Sequence, residues 1–302
     1  MTRSTRLTAT LAAGLLFAAA AQAETIEIQG GDALNLVTVM HGVTYETIPG
    51  GFSRTSLEMD LLLPASREPV PVIVFAMGNG WRSIDRGVLL AQLAPIAQAG
   101  FAIASIDYRI IGEATFPEPQ RDVNAAVRFL RANADRFNID PERVGLFGSS
   151  AGAHLVLNVG LAGGEELFEN DAWADQSSAV DAIAVFYPPV YMTQQNPDPA
   201  YLANLHLGAV GADPANAELA AQATPATYID ANDPPVMLIH GTEDPVVPID
   251  QSEQLHDALE AAGVDVTFLR VNGIGHSFGR MSSTPGVYER LIAFYDEHLR
   301  GE

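Results

Sequence analysis

The sequence predicts an α/β protein with a doubly wound, mostly parallel sheet and helices on both faces. Short runs that are apolar at nearly every position, such as 72–76 (V-I-V-F-A) and 181–186 (D-A-I-A-V-F), alternate along the chain with stretches of helical periodicity. Such runs are typical of parallel strands, because these strands are buried on both faces of a sheet. The alternation itself is the pattern of βαβ units, which build a parallel sheet.

The candidate strands fall into two groups. Near the start of the chain, β-like runs separated by Gly-rich turns predict antiparallel strands that open the sheet. These runs are 25–28, 35–39, 43–48 and 56–63. The parallel strands are predicted at 72–76, 101–106, 144–147, 181–186, 236–240 and 266–271. Among the connections, Arg121 to Phe137 and Gln251 to Ala262 have the apolar spacing of amphipathic helices.

One segment, 188–235, breaks this alternation. It is rich in Pro, Asn, Asp and Ala, and it holds only weak helical patches at 202–206 and 217–223. The segment is long for a plain connection between two elements of a compact domain. It therefore predicts a small cap-like or lid-like insertion within an α/β domain that extends over residues 24–302.

The first 23 residues have the pattern of a secretory signal peptide. Arg3 and Arg6 precede a Leu/Ala-rich apolar run, and Ala21-Gln22-Ala23 is a small-x-small cleavage signal. We expect cleavage after Ala23, which predicts a secreted or periplasmic protein. A membrane-spanning helix needs about 20 apolar residues, and no later apolar run is that long, so no membrane span is expected.

Composition excludes several classes of function. Asp and Glu number 37 against 16 Lys and Arg, which gives a formal net charge of −21. That charge disfavours nucleic acid and anionic membrane surfaces as partners. The chain has no Cys, which rules out disulfides, thiolate metal sites and a cysteine nucleophile.

The segment G-S-S-A-G, Gly148 to Gly152, matches the G-x-S-x-G pattern of a nucleophile elbow. It lies between a predicted strand and a predicted helix, which is the context that this motif requires. The turn is so tight that the residues two before and two after the serine have no room for a Cβ atom. This predicts Ser150 as a nucleophile, with Ser149 in a supporting position.

A serine nucleophile needs a base, and the base needs an acid that orients it. In folds with this elbow the acid and then the histidine follow the serine along the chain. Asp244 follows the predicted strand 236–240, and His276 follows the predicted strand 266–271. Both therefore lie at the carboxyl ends of strands, where open α/β sheets place their sites. Glu243 is the alternative acid, one residue away.

Several motifs together resemble one known family. They are M-G-N-G-W (77–81), I-D-Y-R-I (106–110), G-S-S-A-G-A-H (148–154), H-G-T-E-D-P-V-V-P (240–248) and G-I-G-H-S-F (273–278). In this order the chain resembles α/β-hydrolase serine esterases, namely the feruloyl/acetyl-xylan esterase-like and hormone-sensitive-lipase-like carboxylesterases. The resemblance covers Tyr45 to the C-terminus. It implies an α/β-hydrolase fold, a Ser150–Asp244–His276 triad, and neither a cofactor nor a metal.

The loop at 77–81 departs from the H-G-G-G-W of the resembling family by carrying Met77 and Asn79. An oxyanion hole uses backbone N–H groups, and we expect Asn79, Gly80 and Ala151 to supply them. Asn is also one of the few residues that tolerate a positive φ. Met77 cannot make the hydrogen bonds of a His, so another residue must brace the loop, with Arg109 and Trp81 as the candidates.

These observations predict an exported serine carboxylesterase that acts on small or carbohydrate-linked esters. Trp81, Tyr187 and Tyr191 are the predicted substrate contacts. A polyester hydrolase, an arylformamidase-type amidase and a serine peptidase remain open, because all of them use the same triad. A non-catalytic binding module on a hydrolase fold is the alternative from another class, and the oligomeric state is left open.

Overall fold

The computed structural model of the protein describes residues 36–48, 56–82, 85–192 and 215–302. These residues belong to one compact unit that begins at Asn35. The predicted signal peptide (1–23), the β-like run 25–28 and the middle of the predicted insertion lie outside the described residues.

The described part of the chain forms an eight-stranded sheet with the strand order β1-β2-β4-β3-β5-β6-β7-β8. Strand β2 pairs antiparallel with β1 and with β4, and every other pairing is parallel. This arrangement confirms the predicted fold class. The strands are β1 (Val37–Thr47), β2 (Ser56–Pro64), β3 (Val70–Ala76), β4 (Ala102–Ile106), β5 (Ile139–Ser149), β6 (Ala182–Phe186), β7 (Val236–Gly241) and β8 (Val266–Val271).

Helices cover both faces of this sheet. In the described residues they are α1 (Leu90–Gln98), α2 (Glu118–Ala132), α3 (Ala134–Phe137), α4 (Ala151–Leu161), α5 (Ala215–Gln222), α6 (Asp250–Ala262), α7 (Phe278–Ser282) and α8 (Val287–Tyr295). The chain ends with a π-helical turn at Asp296–Arg300. As far as the chain is described, no helix has the length and apolarity that crossing a bilayer requires.

Two predicted elements differ from those in the structure. The runs 35–39 and 43–48 were expected as separate strands, but they form the single strand β1, which is irregular between Met40 and Val43. Gly42 lies at this irregularity with a φ of 67°, so a local bulge, and not a turn, accommodates the glycine. The predicted helix from Arg121 to Phe137 is interrupted at Asn133, which separates α2 from α3.

The central strands are buried on both faces, as their sequences predict. In β3, Val72 and Val74 pack into one apolar cluster together with residues of α2 and α4. Ile73 and Phe75, which point to the other face, pack with residues of α1 and α8. Each buried aliphatic or aromatic side chain of this kind contributes about 1.5–3 kcal/mol relative to exposure. The carboxyl ends of the parallel strands are thus held on a rigid, close-packed platform.

A buried polar cluster fastens the edge strand β1 to α2. The Tyr45 hydroxyl donates to the Asp107 carbonyl oxygen at 2.6 Å. Arg109 follows β4, and both its backbone N–H and its guanidinium donate to Asp122 of α2, at 2.6 and 2.9 Å. Burial raises the pKa of Asp122 to about 6. Burial, followed by the charge of Asp122, raises the pKa of Glu46 to about 7.

The raised pKa of Glu46 predicts a pH-dependent stability. The folded protein binds a proton at this carboxyl more tightly than the unfolded chain, whose pKa is near 4.5. The free energy of unfolding therefore falls as the pH rises from about 4.5 to about 7. We expect Glu46→Gln to be more stable than the wild type at pH 8 by about 1 kcal/mol, after an allowance for solvent screening. The difference should disappear near pH 4.

Urea unfolding of both proteins at these two pH values measures the effect. Glu68→Gln is the matched control, because Glu68 is an exposed glutamate in the turn between β2 and β3. Equal stability changes for the two variants at pH 8 would contradict the assignment to the buried cluster.

Candidate active site

Ser150 lies on a strained turn between β5 and α4. Its φ and ψ are 51° and −123°, a conformation that costs free energy for any residue with a side chain. The Ser150 N–H donates to the Phe186 carbonyl oxygen of β6 at 2.9 Å. The turn is thus tied to the neighbouring strand, and its serine side chain is presented at the carboxyl edge of the sheet.

The glycines around Ser150 are required by contact. A Cβ atom on Gly152 would lie 2.1 Å from the Ala76 carbonyl oxygen, and one on Gly148 would lie 2.7 Å from Ala153 Cα. Both distances are far shorter than a carbon atom can tolerate. The steric reason predicted for the two glycines is confirmed.

Ser150, His276 and Asp244 form one chain of hydrogen bonds. The distance from His276 Nε2 to Ser150 Oγ is 2.9 Å, and His276 Nδ1 is 2.7 Å from Asp244 Oδ2. A carboxylate only accepts, so Nδ1 donates to Asp244 and Nε2 of the neutral ring accepts from the serine hydroxyl. The three side chains that the sequence predicts as a triad are therefore brought together, in an arrangement that can transfer a proton from the serine.

The environment of Asp244 keeps its carboxylate ionised. The side chain is completely buried, and burial alone would favour the neutral form. A contact with His240 Nε2 at 3.5 Å, together with hydrogen bonds from His276 and the Val246 N–H, outweighs that effect and holds the pKa of Asp244 below its usual range. Asp244 Oδ1 accepts from the Val246 and Val247 N–H groups at 2.8 and 2.9 Å. Both oxygens are thus fixed.

The alternative candidates occupy other positions. Glu243 is exposed, and its backbone N–H donates to Ile274. His240 is buried, with ring nitrogens 2.8 Å from Ser252 Oγ and 2.9 Å from the Val247 carbonyl oxygen. Of the two carboxylates, only Asp244 contacts His276.

The loops that carry Asp244 and His276 are joined to each other. The Thr242 N–H donates to the Val271 carbonyl oxygen at 3.0 Å, and the Glu243 N–H donates to the Ile274 carbonyl oxygen at 3.0 Å. In return, the Gly273 N–H donates to Thr242 Oγ1 at 3.1 Å. The acid and the base are therefore presented by one unit built from the ends of β7 and β8.

The loop after β3 lies against the serine turn. The Gly78 N–H donates to Ser149 Oγ at 3.1 Å. The Tyr108 hydroxyl donates to the Met77 carbonyl oxygen at 2.7 Å, and the Ile111 N–H donates to the Trp81 carbonyl oxygen at 2.8 Å. Ser149 thus has the supporting position predicted for it, and the segment after β4 braces the loop.

The predicted role of Arg109 as the brace of this loop is wrong. Arg109 does not brace it, because its guanidinium is engaged by Asp122 and by the Glu118 carbonyl oxygen. The positive φ values belong to Gly80 and Trp81, at 59° and 56°, and not to Asn79. Tyr108, the neighbour of Arg109, supplies the brace.

A cavity of about 380 Å³ opens in front of the serine. Ser150 and His276 line it, together with five of the predicted site residues: Asn79, Gly80, Trp81, Ala151 and Tyr187. Sequence reasoning missed six further lining residues: Arg82, Leu89, Pro189, Val246, Val247 and Phe278. Five of them lie within or next to a motif or just after a strand, and Leu89 directly precedes α1. All six reach the cavity only through the folding of the loops.

Tyr191 is a correction to the predicted substrate contacts. It does not line the cavity in the described part of the chain. Its ring packs against the apolar cluster of α2 and α4, and its backbone N–H donates to Gln251 Oε1 at 2.8 Å. This bond, together with a similar one from Val190, anchors the segment to α6.

Tyr187 connects the loop after β3 with the histidine. Its ring centroid lies 4.2 Å from that of His276, and its hydroxyl lies near the Ser149 side chain. Burial is the main cause that raises the pKa of Tyr187. A continuous line of contacts therefore runs from Gly78 through Ser149 and Tyr187 to His276.

Elsewhere in the described residues, His256, Asp257 and Glu260 are close enough together to share a metal ion. They lie on α6, and Asp257 and Glu260 are exposed. None of them is in the cavity.

Comparison with known proteins gives consistent relatives. Esterase LipC of Mycobacterium tuberculosis is 29% identical over 216 residues, which are 70% of this chain and 54% of LipC. A truncated carbohydrate esterase from gut microbiota superposes with a TM-score of 0.77, at 27% identity over 90% of this chain and 100% of that one. A bifunctional GH43-CE protein of Bacteroides eggerthii gives 0.76, at 28% identity over 86% of this chain and 38% of that one.

The strand order, the strained serine turn and these relatives define the class, which is that of the α/β-hydrolase serine esterases. Residues 59–259, more than half of the chain, match the BD-FAE family, and the chain belongs to that family. The chain spans about half the length of the curated relatives that it matches.

The contact at Gly152 generates a first prediction for the site. Gly152→Ala places a methyl group against the Ala76 carbonyl, and overpacking of this kind costs about 1–3 kcal/mol or more. We expect a lower melting temperature together with a loss of ester hydrolysis, because the turn that holds Ser150 must shift. Gly279→Ala is the control, since a Cβ there meets nothing within 4 Å. Equal losses in the two variants would contradict the argument.

The line of contacts through Tyr187 generates a second prediction. Ser149→Ala and Tyr187→Phe each remove the hydroxyl link, and the phenylalanine keeps the ring against His276. We expect each variant to lower kcat about threefold to tenfold with little change in KM, because a polar contact that positions the reacting groups is lost. Ser149→Ala also removes the acceptor of the Gly78 N–H, so its loss should be at least as large as that of Tyr187→Phe.

A double-mutant cycle on purified proteins separates positioning from packing. If the two hydroxyls act through one link, Ser149→Ala/Tyr187→Phe loses no more activity than Ser149→Ala alone. Additive losses in kcat would show that the two residues act independently.

Proposed function

We propose that the protein is a carboxylic ester hydrolase that works through an acyl-enzyme on Ser150. The observation that carries the proposal is the hydrogen-bonded chain Ser150–His276–Asp244 at the floor of the cavity. It supplies a nucleophile, a base and an orienting acid within direct reach of each other, which is what nucleophilic catalysis by serine requires.

In the first half-reaction, Ser150 Oγ forms a bond to the ester carbonyl carbon while His276 Nε2 takes the hydroxyl proton. Asp244 stabilises the imidazolium and keeps the ring oriented. The tetrahedral intermediate collapses by breaking the bond to the alcohol oxygen, which receives the proton from His276. The products of this step are a free alcohol and an acyl-serine.

In the second half-reaction, water takes the place of the alcohol. His276 removes a proton from the water as its oxygen attacks the acyl-serine carbonyl carbon. Collapse of this intermediate releases the carboxylic acid, and His276 returns the proton to Ser150 Oγ. The enzyme is then restored, and one water has been consumed for each ester bond that is broken.

The negative oxygen of both intermediates needs donors that are already in place. We propose the backbone N–H groups of Asn79, Gly80 and Ala151, which all line the cavity beside Ser150. Ala151 is the first residue of α4, so the dipole of that helix favours negative charge at the same point. The loop braces from Tyr108 and Ile111 keep the other two amides in position.

Small or carbohydrate-linked carboxylic esters are the proposed substrates. A cavity of about 380 Å³ is of the size that holds a small ligand. One similar structure is named a carbohydrate esterase, which favours an ester on a sugar. We also propose that the protein is exported, on the signal-peptide pattern of residues 1–23.

The decisive experiment is active-site labelling combined with a substrate panel. A fluorophosphonate probe should label the wild type, and Ser150→Ala should abolish the labelling. Ser149→Ala is the matched control, because its hydroxyl is one residue away, and it should still be labelled. Labelling of Ser150→Ala would contradict Ser150 as the nucleophile.

The panel contains p-nitrophenyl esters of increasing chain length, acetylated xylan, methyl ferulate, a polyester film and a peptide amide. We expect hydrolysis of the short p-nitrophenyl esters and of at least one carbohydrate-linked ester, all of it lost in Ser150→Ala. Activity confined to amides or peptides would overturn the proposal. A correctly folded wild type that is neither labelled nor hydrolyses any of these substrates would favour a binding module.

A further inference from the structure

Among the described residues that line the cavity, Arg82 is the one with a permanently charged side chain. It follows directly on the loop that holds Asn79 and Gly80, and its backbone N–H donates to the Asn79 carbonyl oxygen at 3.2 Å. The remaining described lining residues are neutral. The cavity of a protein with a net charge of −21 is thus lined by a cation.

The guanidinium of Arg82 also differs from those of nearby arginines. Arg86, four residues later, contacts the carboxylates of Glu58, Asp60 and Asp107, and Arg109 contacts those of Glu118 and Asp122. Among the described residues, no carboxylate pairs with Arg82, whose side chain is exposed. In a chain with more than twice as many acids as bases, this cation at the cavity remains available to a ligand.

We propose that Arg82 recognises a carboxylate on the substrate, so that the preferred ester carries a negative charge beside the bond that is hydrolysed. This inference rests on the proposed function and specifies its substrate class: an ester of an acidic sugar or of a dicarboxylic acid. The planar fork of an arginine matches the two oxygens of a carboxylate.

The local charge outweighs the charge of the whole protein over the relevant distance. At physiological ionic strength, exposed charges are largely screened beyond about 8 Å. The many surface acids therefore act weakly on a bound substrate, while the charge of Arg82, a residue that lines the cavity, acts over a shorter distance. A single local cation can determine the preference of a strongly acidic enzyme.

Two pairs of matched esters test the proposal and locate the charge. Phenyl hydrogen adipate and phenyl hexanoate differ by a carboxylate on the acyl side. 4-Acetoxybenzoate and its methyl ester differ by a carboxylate on the alcohol side. The measured quantity is the kcat/KM of the charged ester divided by that of its neutral partner, and comparing this ratio between wild type and variant cancels intrinsic reactivity.

We expect Arg82→Gln to lower this ratio roughly fivefold to thirtyfold in at least one pair, because a charge-assisted contact is lost. Arg82→Lys, which keeps the charge, should have a kcat/KM ratio between those of Arg82→Gln and the wild type. Raising NaCl from about 0.05 M to about 0.5 M should narrow the wild-type preference, because the cation is exposed.

Arg67→Gln is the matched control for net charge. Arg67 is exposed and precedes β3, whose seven residues place it about 23 Å from the cavity end of that strand. The ratio of kcat/KM for the charged ester to that for the neutral ester should be the same in Arg67→Gln as in the wild type. An unchanged ratio in Arg82→Gln for both pairs would overturn the proposal, as would an equal fall in Arg67→Gln or a lysine variant no better than the glutamine.

Failure of this inference is distinguishable from failure of the proposed function. Hydrolysis of the neutral esters that is lost in Ser150→Ala supports the hydrolase assignment whatever the ratio does. If neither the neutral nor the charged esters are hydrolysed by a correctly folded wild type, the proposed function fails, and the role of Arg82 fails with it.

Discussion

The site depends on the close approach between the first turn of α4 and the end of β3. Gly152 abuts the Ala76 carbonyl oxygen, and Gly78 is packed equally tightly against Ser149. The serine turn and the loop beside it therefore interlock through backbone atoms, which cannot repack as side chains do. Because of this constraint, the proposed nucleophile and the proposed oxyanion donors are positioned by the same contact, and neither can move without the other.

Met77 shows how a local departure from the family pattern is compensated. In place of a histidine, the loop has an apolar side chain, and its support comes from outside the motif. The Tyr108 hydroxyl holds the Met77 carbonyl oxygen, and burial raises the pKa of Tyr108, so this donor stays protonated over the working pH range. The brace is thus a neutral hydrogen bond whose strength does not vary with pH.

The parts of the molecule that depend on local pattern were predictable from the sequence. Apolar runs predicted the strands. The glycines two residues before and two residues after Ser150 predicted the turn, because so tight a backbone turn leaves no room for a Cβ atom at those positions. The brace from Tyr108, 31 residues from its partner, has no such local mark, and neither has the packing of Tyr191 against the apolar cluster of α2 and α4. The continuous strand β1 was missed because Gly42 reads as a turn in sequence, while pairing with β2 absorbs it as a bulge.

Strand β6 lies between the serine strand and the acid strand and pairs with both. Neighbouring strands are about 4.8 Å apart, so the separation between β5 and β7 is fixed at two such steps, and Tyr187 fills the gap at the end of β6. The separation between the strand that leads to the nucleophile and the strand that leads to the orienting acid is in this sense a dimension of the sheet. An insertion or bulge in β6 would change the separation between β5 and β7. It would thereby alter the chemistry, although β6 lies far in sequence from any reacting atom.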